Sequence, residues 1–137
     1  MAYWLLKSEP GCWSWDDQVR EGVSEWDGVR NHQANNNMKA MKSGDRCFFY
    51  HSVNAKEIVG VVEVVKEHYP DPTDASGRFG MVDVKAVVPV DQPVSLKQIK
   101  EDPLLSEMQL VRQSRLSVSP VSAAEWRRIC TLAGIAA

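Results

Sequence analysis

Apolar positions along the chain fall into short groups whose spacing alternates between the two regular periods. Tyr3 to Leu6 is an aromatic and aliphatic run that reads as a first strand, ended by the Pro10-Gly11 pair. Ser14 followed by Asp17 and Gln18 predicts a short helix stopped at Gly22. Asn31 is placed to cap a second helix, where Ala34, Met38 and Met41 recur at spacings of four and three and Gly44 closes the segment. Asn35, Asn36 and Asn37 are poor helix formers because their amides compete for backbone hydrogen bonds, so this helix requires tertiary support or a bound partner.

Arg46 to Ser52 and Ile58 to Val65 are rich in aromatic and β-branched residues and lie a short connection apart, which predicts an antiparallel hairpin. Met81 to Val88 alternates, with Val82, Val84, Ala86 and Val88 on one face and Asp83 and Lys85 on the other. The intervening 69–78 stretch, with two prolines, a glycine and several small polar residues, reads as a long surface loop. Capping-box patterns at Ser95/Gln98 and Ser122/Glu125 start two more helices, the first broken at Asp102-Pro103. Between them, 108–118 reads as a polar loop feeding a last strand at Leu116-Ser117-Val118. The pattern predicts one mixed α+β domain over residues 1–137, with a compact sheet flanked by short helices.

Composition narrows the function. Sixteen basic against eighteen acidic side chains give a net charge of −2, which excludes indiscriminate coating of a nucleic-acid duplex, so any such site is local. The longest nearly apolar run, Ile58 to Val65, carries Glu63 and is far shorter than the roughly twenty residues a bilayer needs, and the start of the chain lacks the features of a secretory signal. A cytoplasmic monomer with no membrane contact is expected, in a bacterial host more readily than a nuclear one. Cys12, Cys47 and Cys130 have no CxxC or Cys/His pattern, so neither disulfides nor a metal site are predicted. No phosphate-binding glycine motif is present, and no cofactor is expected. Only His32, His51 and His68 are available as general bases, none within a catalytic signature.

Tryptophan is abundant, and Trp4, Trp15 and Trp126 are expected in the core. Trp26 differs, because Ser24-Glu25-Trp26-Asp27-Gly28 is a polar loop where a large ring needs a reason. A base pocket needs an aromatic wall, small polar groups to read the base edge and cations for phosphate; Trp26, Ser8 or Asn31, and Arg30 could supply them.

Tyr3-Trp4-Leu5-Leu6-Lys7-Ser8-Glu9-Pro10, Trp26-Asp27-Gly28-Val29-Arg30-Asn31, Phe48-Phe49-Tyr50-His51-Ser52 and Leu110 to Val118 closely resemble the EVE domain, a member of the PUA-like superfamily related to YTH domains. The resemblance covers nearly the whole chain. It implies a strongly bent, barrel-like sheet and recognition of DNA or RNA carrying a modified base, modified cytosine in DNA above all. It also implies a pocket with Trp26 as principal wall, Lys7 and Ser8 as its polar edge, and Phe79 in place of a second aromatic that is often tryptophan. Asn31, Tyr50, His51 and Ser52 fall in motifs at the base rim, and Arg30, Arg112, Ser114 and Arg115 in those that hold the nucleic-acid backbone. Plainer roles stay open for several: Asn31 as a helix cap, Tyr50 as core, Arg30 or Arg112 as partner of an acid. A hydrolase or glycosylase using His51 or Glu9 as acid or base is the alternative.

Overall fold

The computed structural model describes all residues, Met1–Ala137. Its centre is a six-stranded mixed sheet in the order β2-β5-β4-β3-β1-β6. β1 (Tyr3–Ser8) runs parallel to β3 (Arg46–His51), pairing Tyr3 with Arg46 and Ser8 with His51, and antiparallel to β6 (Val118–Val121). Both faces of the β1/β3 pair are covered, which is why their sequences read as continuous apolar runs without alternation. Leu6, Cys47 and Phe49 face one core with Trp4, Trp15 and Met38, whereas Leu5, Phe48 and Tyr50 face a second with Trp126, Ile99 and Ile129. Trp126 stacks on Phe48 at 3.9 Å between ring centroids and on Tyr3 at 4.4 Å.

The expected hairpin forms between β3 and β4 (Glu57–Pro70), which in turn pairs antiparallel with β5 (Gly80–Ser95). These two strands are much longer than their alternation predicts, and Tyr69 and Pro70 belong to β4, so the loop spans only residues 71–79. Register breaks explain the discrepancy: pairing shifts between Ile58 and Gly60, Val61 and Val62, Val64 and Lys66, and Lys66 and Tyr69. Each shift resets the side-chain phase and bends the ribbon. Val88 accordingly packs with the second core, while Val82 and Val84 pack with the first, against the single face predicted for all three. Gly60 sits at such a break under the Trp15 indole, where a Cβ would lie 2.5 Å from ring carbons, so only glycine lets the ring cross the strand.

Helices α1 (Trp15–Glu21), α3 (Leu96–Glu101) and α5 (Ala123–Ala133) begin with the capping boxes of Ser14/Asp17, Ser95/Gln98 and Ser122/Glu125. In α2 (His32–Ala40) the Asn31 carboxamide caps Ala34 N–H at 2.9 Å. The helix ends at Ala40 and not at Gly44, whose positive φ of 96° serves the following turn, its N–H bonded to Val64 O. The support this helix requires comes from two of its asparagines. Buried Asn35 accepts through Oδ1 from Gly80 N–H and bonds His68 Nε2, and Asn37 donates to Val118 O at 2.7 Å. Two elements escape the periodicity: β2 (Val23–Glu25), a three-residue edge strand, and α4 (Gln109–Arg112), one turn inside the segment read as loop. All three cysteines are free thiols, and burial pushes the Cys130 thiol up to about 11.

Candidate functional site

β1 ends where Glu9-Pro10-Gly11 turns the chain, and this turn is closed by Cys12 and Trp13 N–H groups on Glu9 O at 2.9 and 2.8 Å. The turn faces β2 and the loop after it across a cleft of about 720 Å³. Ser8, Trp13 and Trp26 line it, as do Lys7 and Arg30. Ser8 Oγ donates its proton to Trp13 O, so towards the cleft the hydroxyl offers only lone pairs. Trp13 Nε1 donates to Gln18 Oε1 at 3.0 Å; buried Gln18 also accepts from Ser24 Oγ at 2.8 Å and donates to Gly22 O at 3.1 Å. One glutamine of α1 therefore orients the Trp13 indole and fastens β2 beside it.

Trp26 forms the opposite side. Its N–H bonds Val82 O at 2.7 Å, and its ring meets Phe49 edge-on, centroids 5.5 Å apart. With 8% of its surface exposed it packs in the core and also lines the cleft; Trp26-Asp27-Gly28 is loop as read from the sequence, whereas Ser24 and Glu25 belong to β2. Beyond it, Gly28 has φ of 80°, and its N–H donates to Asp71 Oδ2 at 2.9 Å.

The charges divide by location. Glu9, Glu21, Glu25 and Asp27 line the cleft and outnumber Lys7 and Arg30. Lys7 Nζ donates to Ser114 O at 2.6 Å, and burial lowers its pKa. Arg30 pairs with the buried Asp71 carboxylate at 3.1 Å. The cleft thus disfavours phosphate and suits an uncharged ring with N–H donors on its edge. A second, smaller depression of about 350 Å³ is lined by Asn31, Arg112, Ser114 and Arg115 among others, and the Lys7–Ser114 bond joins a residue of the cleft to one of the depression. No carboxylate lies within ion-pair distance of either arginine.

Of the residues singled out by sequence, Lys7, Ser8, Trp26 and Arg30 meet in the cleft, and Asn31, Arg112, Ser114 and Arg115 in the depression. Four others line neither. Phe79 packs on His32 at 4.8 Å, with the Arg30 guanidinium 5.9 Å from its ring centre, so the second aromatic of the cleft is Trp13. Tyr50 is buried in the second core, its phenol pushed up to about 12 by burial. Ser52 holds the end of β1 through its N–H on Ser8 O at 2.9 Å. His51 Nε2 accepts the Trp15 N–H at 3.0 Å, and burial lowers its pKa against the opposing pull of Glu57 and Asp16. With that lone pair engaged, His51 is unsuited to serve as a base towards the cleft. Trp13 is missed by the sequence reading; its place just after the Pro10-Gly11 turn is the signal that could have found it.

The EVE domain model matches residues 2–132. Chicken thymocyte nuclear protein 1 is 36% identical over 96% of this chain and 68% of its own length. The human THYN1 protein, solved in complex with 5-methylcytosine containing DNA, is 32% identical with a TM-score of 0.92 over 100% of both chains. A YTH domain from Zygosaccharomyces rouxii, solved with N6-methyladenosine RNA, shares the fold at a TM-score of 0.60 and 15% identity, covering 96% of this chain and 85% of its own. The bent mixed sheet, the flanking short helices and these likenesses agree: the chain belongs to the EVE domain family.

Proposed function

We propose that this chain reads a modified base, modified cytosine in DNA in the first place, by taking the flipped base between Trp13 and Trp26 while the nucleic-acid backbone lies on the depression of Arg112 and Arg115. The observation that carries this reading is the separation of chemistry: an aromatic, acceptor-rich cleft beside a distinct cationic surface. Ser8, unable to donate, fits an amino edge such as that of cytosine. The 5-methylcytosine DNA held by the human relative supports the choice of base. The reaction-bearing alternative loses His51, which spends its lone pair on Trp15, and keeps only Glu9 at the cleft; a reader that makes and breaks no bond is the reading we favour, and the mass measurement below tests it.

The test is titration at fixed salt against oligonucleotides carrying cytosine, 5-methylcytosine, 5-hydroxymethylcytosine and N6-methyladenine. Tight binding to one of them is expected. Trp13→Ala should weaken it by about 1–3 kcal/mol, the contribution of stacking one base on an aromatic ring. A folded variant with unchanged affinity would remove Trp13 from the site, and equally weak binding to every oligonucleotide would remove the reading. Unchanged oligonucleotide mass after incubation with stoichiometric protein separates a reader from a glycosylase.

Arg112→Gln and Arg115→Gln should act differently. Each is expected to weaken methylated and plain oligonucleotides alike and to lower the salt dependence by about one counterion. A loss confined to the methylated oligonucleotide would place these arginines at the base instead.

A further inference from the structure

Arg30 lines the cleft, where a phosphate contact is the obvious expectation, yet its guanidinium is engaged by the protein itself. Nη1 donates to Val29 O at 3.0 Å and to Asp71 Oδ2 at 3.1 Å, and Nη2 donates to Thr73 Oγ1 at 2.9 Å. The Asp71 side chain is 0% exposed and accepts in addition from Gly28 N–H at 2.9 Å and from Thr73 N–H and Oγ1 at 2.8 and 2.6 Å. Two segments 43 residues apart are joined at this one carboxylate. The loop supplying it is itself folded around Asp74, which accepts from Ser76 N–H, Arg78 N–H and Phe79 N–H at 2.9, 3.0 and 2.8 Å.

We infer that Arg30, Asp71 and Thr73 form a clamp that positions the cleft wall running from Trp26 to Arg30, so that Arg30 governs base selection through that wall and not by contact with phosphate. The inference rests on the base-reading function proposed above. A planar guanidinium can serve Val29 O, Asp71 and Thr73 together, whereas a lysine ammonium, a point donor on a flexible stem, cannot span the same three acceptors. Gly28, in the left-handed region, keeps its conformation because its N–H is held by the same carboxylate. Burial alone would raise the Asp71 pKa, but the hydrogen bonds from Thr73, Gly28 and Arg30 outweigh it and hold it at about 2, so the clamp stays ionised across any ordinary binding condition.

Two measurements on wild type, Arg30→Lys, Arg30→Gln and Asp71→Asn decide the matter. One is affinity for methylated and plain oligonucleotides over a range of salt; the other is hydrogen exchange of the Gly28 amide without DNA. Arg30→Lys, which keeps the charge, should lose about tenfold for the methylated oligonucleotide, little for the plain one, and none of the salt dependence. Gly28 exchange should accelerate in Arg30→Lys and further in Asp71→Asn. Wild-type affinity in Arg30→Lys overturns the inference, as does a salt dependence reduced by about one counterion in Arg30→Gln with Gly28 protection intact. Failure of the wild type to discriminate methylation removes the base-reading function and base selection by the clamp together; Gly28 exchange still reports whether the clamp holds the wall.

Discussion

Trp26→Ala is expected to destabilise the domain by about 3–5 kcal/mol, the range for deleting a large buried aromatic side chain. The indole is 8% exposed, meets Phe49 at an interplanar angle of 86°, and belongs to the core that Trp4, Trp15 and Met38 share. Truncation leaves a cavity whose sheet-borne neighbours cannot collapse into it. Domains of this size have a total stability of about 5–15 kcal/mol, so the variant would retain little margin. Denaturant unfolding should show a lowered midpoint with an unchanged slope. A loss under about 1 kcal/mol would mean that the ring is not packed as described. The consequence for function is practical: lost binding in Trp26→Ala confounds unfolding with loss of the wall. Trp13, only partly buried and held by one glutamine, is the cleaner probe of stacking.

What the sequence made legible is local. Ser14, Asn31, Ser95 and Ser122 announce their helices because a cap and its amide are neighbours in the chain. The lengths of β4 and β5 were hidden because their register breaks erase the two-residue period on which strand reading depends. Nor does any local pattern state that β1 lies parallel to β3, since that pairing is fixed by packing across some forty residues. The site divides in the same way. Ser8 and Trp26 stand out by residue type and turn context. Asp71 does not: within a run of prolines and small polar residues it reads as solvated, and only its contact with Gly28 and Arg30 shows a buried carboxylate. Phe79, placed as a cage wall by family likeness, packs on His32 and does not line the cleft, and its N–H is held by Asp74, a contact no local pattern announces.

Asp45→Ala is expected to cost about 2–4 kcal/mol while leaving the affinity of the folded protein unchanged, because this buried carboxylate lies away from the cleft and its three donors would lose their acceptor. Asp45 is 4% exposed and accepts from Ala2 N–H at 3.1 Å, Trp4 Nε1 at 3.1 Å and Lys42 N–H at 3.0 Å. Its own carbonyl accepts from Val64 N–H at 2.9 Å, so it ties the start of β1 and the turn before β3 to the middle of β4. No cation lies within ion-pair distance; N–H dipoles alone hold the charge. The Trp4 indole N–H dominates the expected loss, because the other two donors lie nearer solvent and water can replace the carboxylate there. A double-mutant cycle isolates that bond: Trp4→Phe removes the donor and keeps an aromatic ring, and the paired variant should fall short of additivity by about 1 kcal/mol or more. Strict additivity would mean that the indole N–H finds another acceptor, and that the N-terminal strand is held by its packing alone.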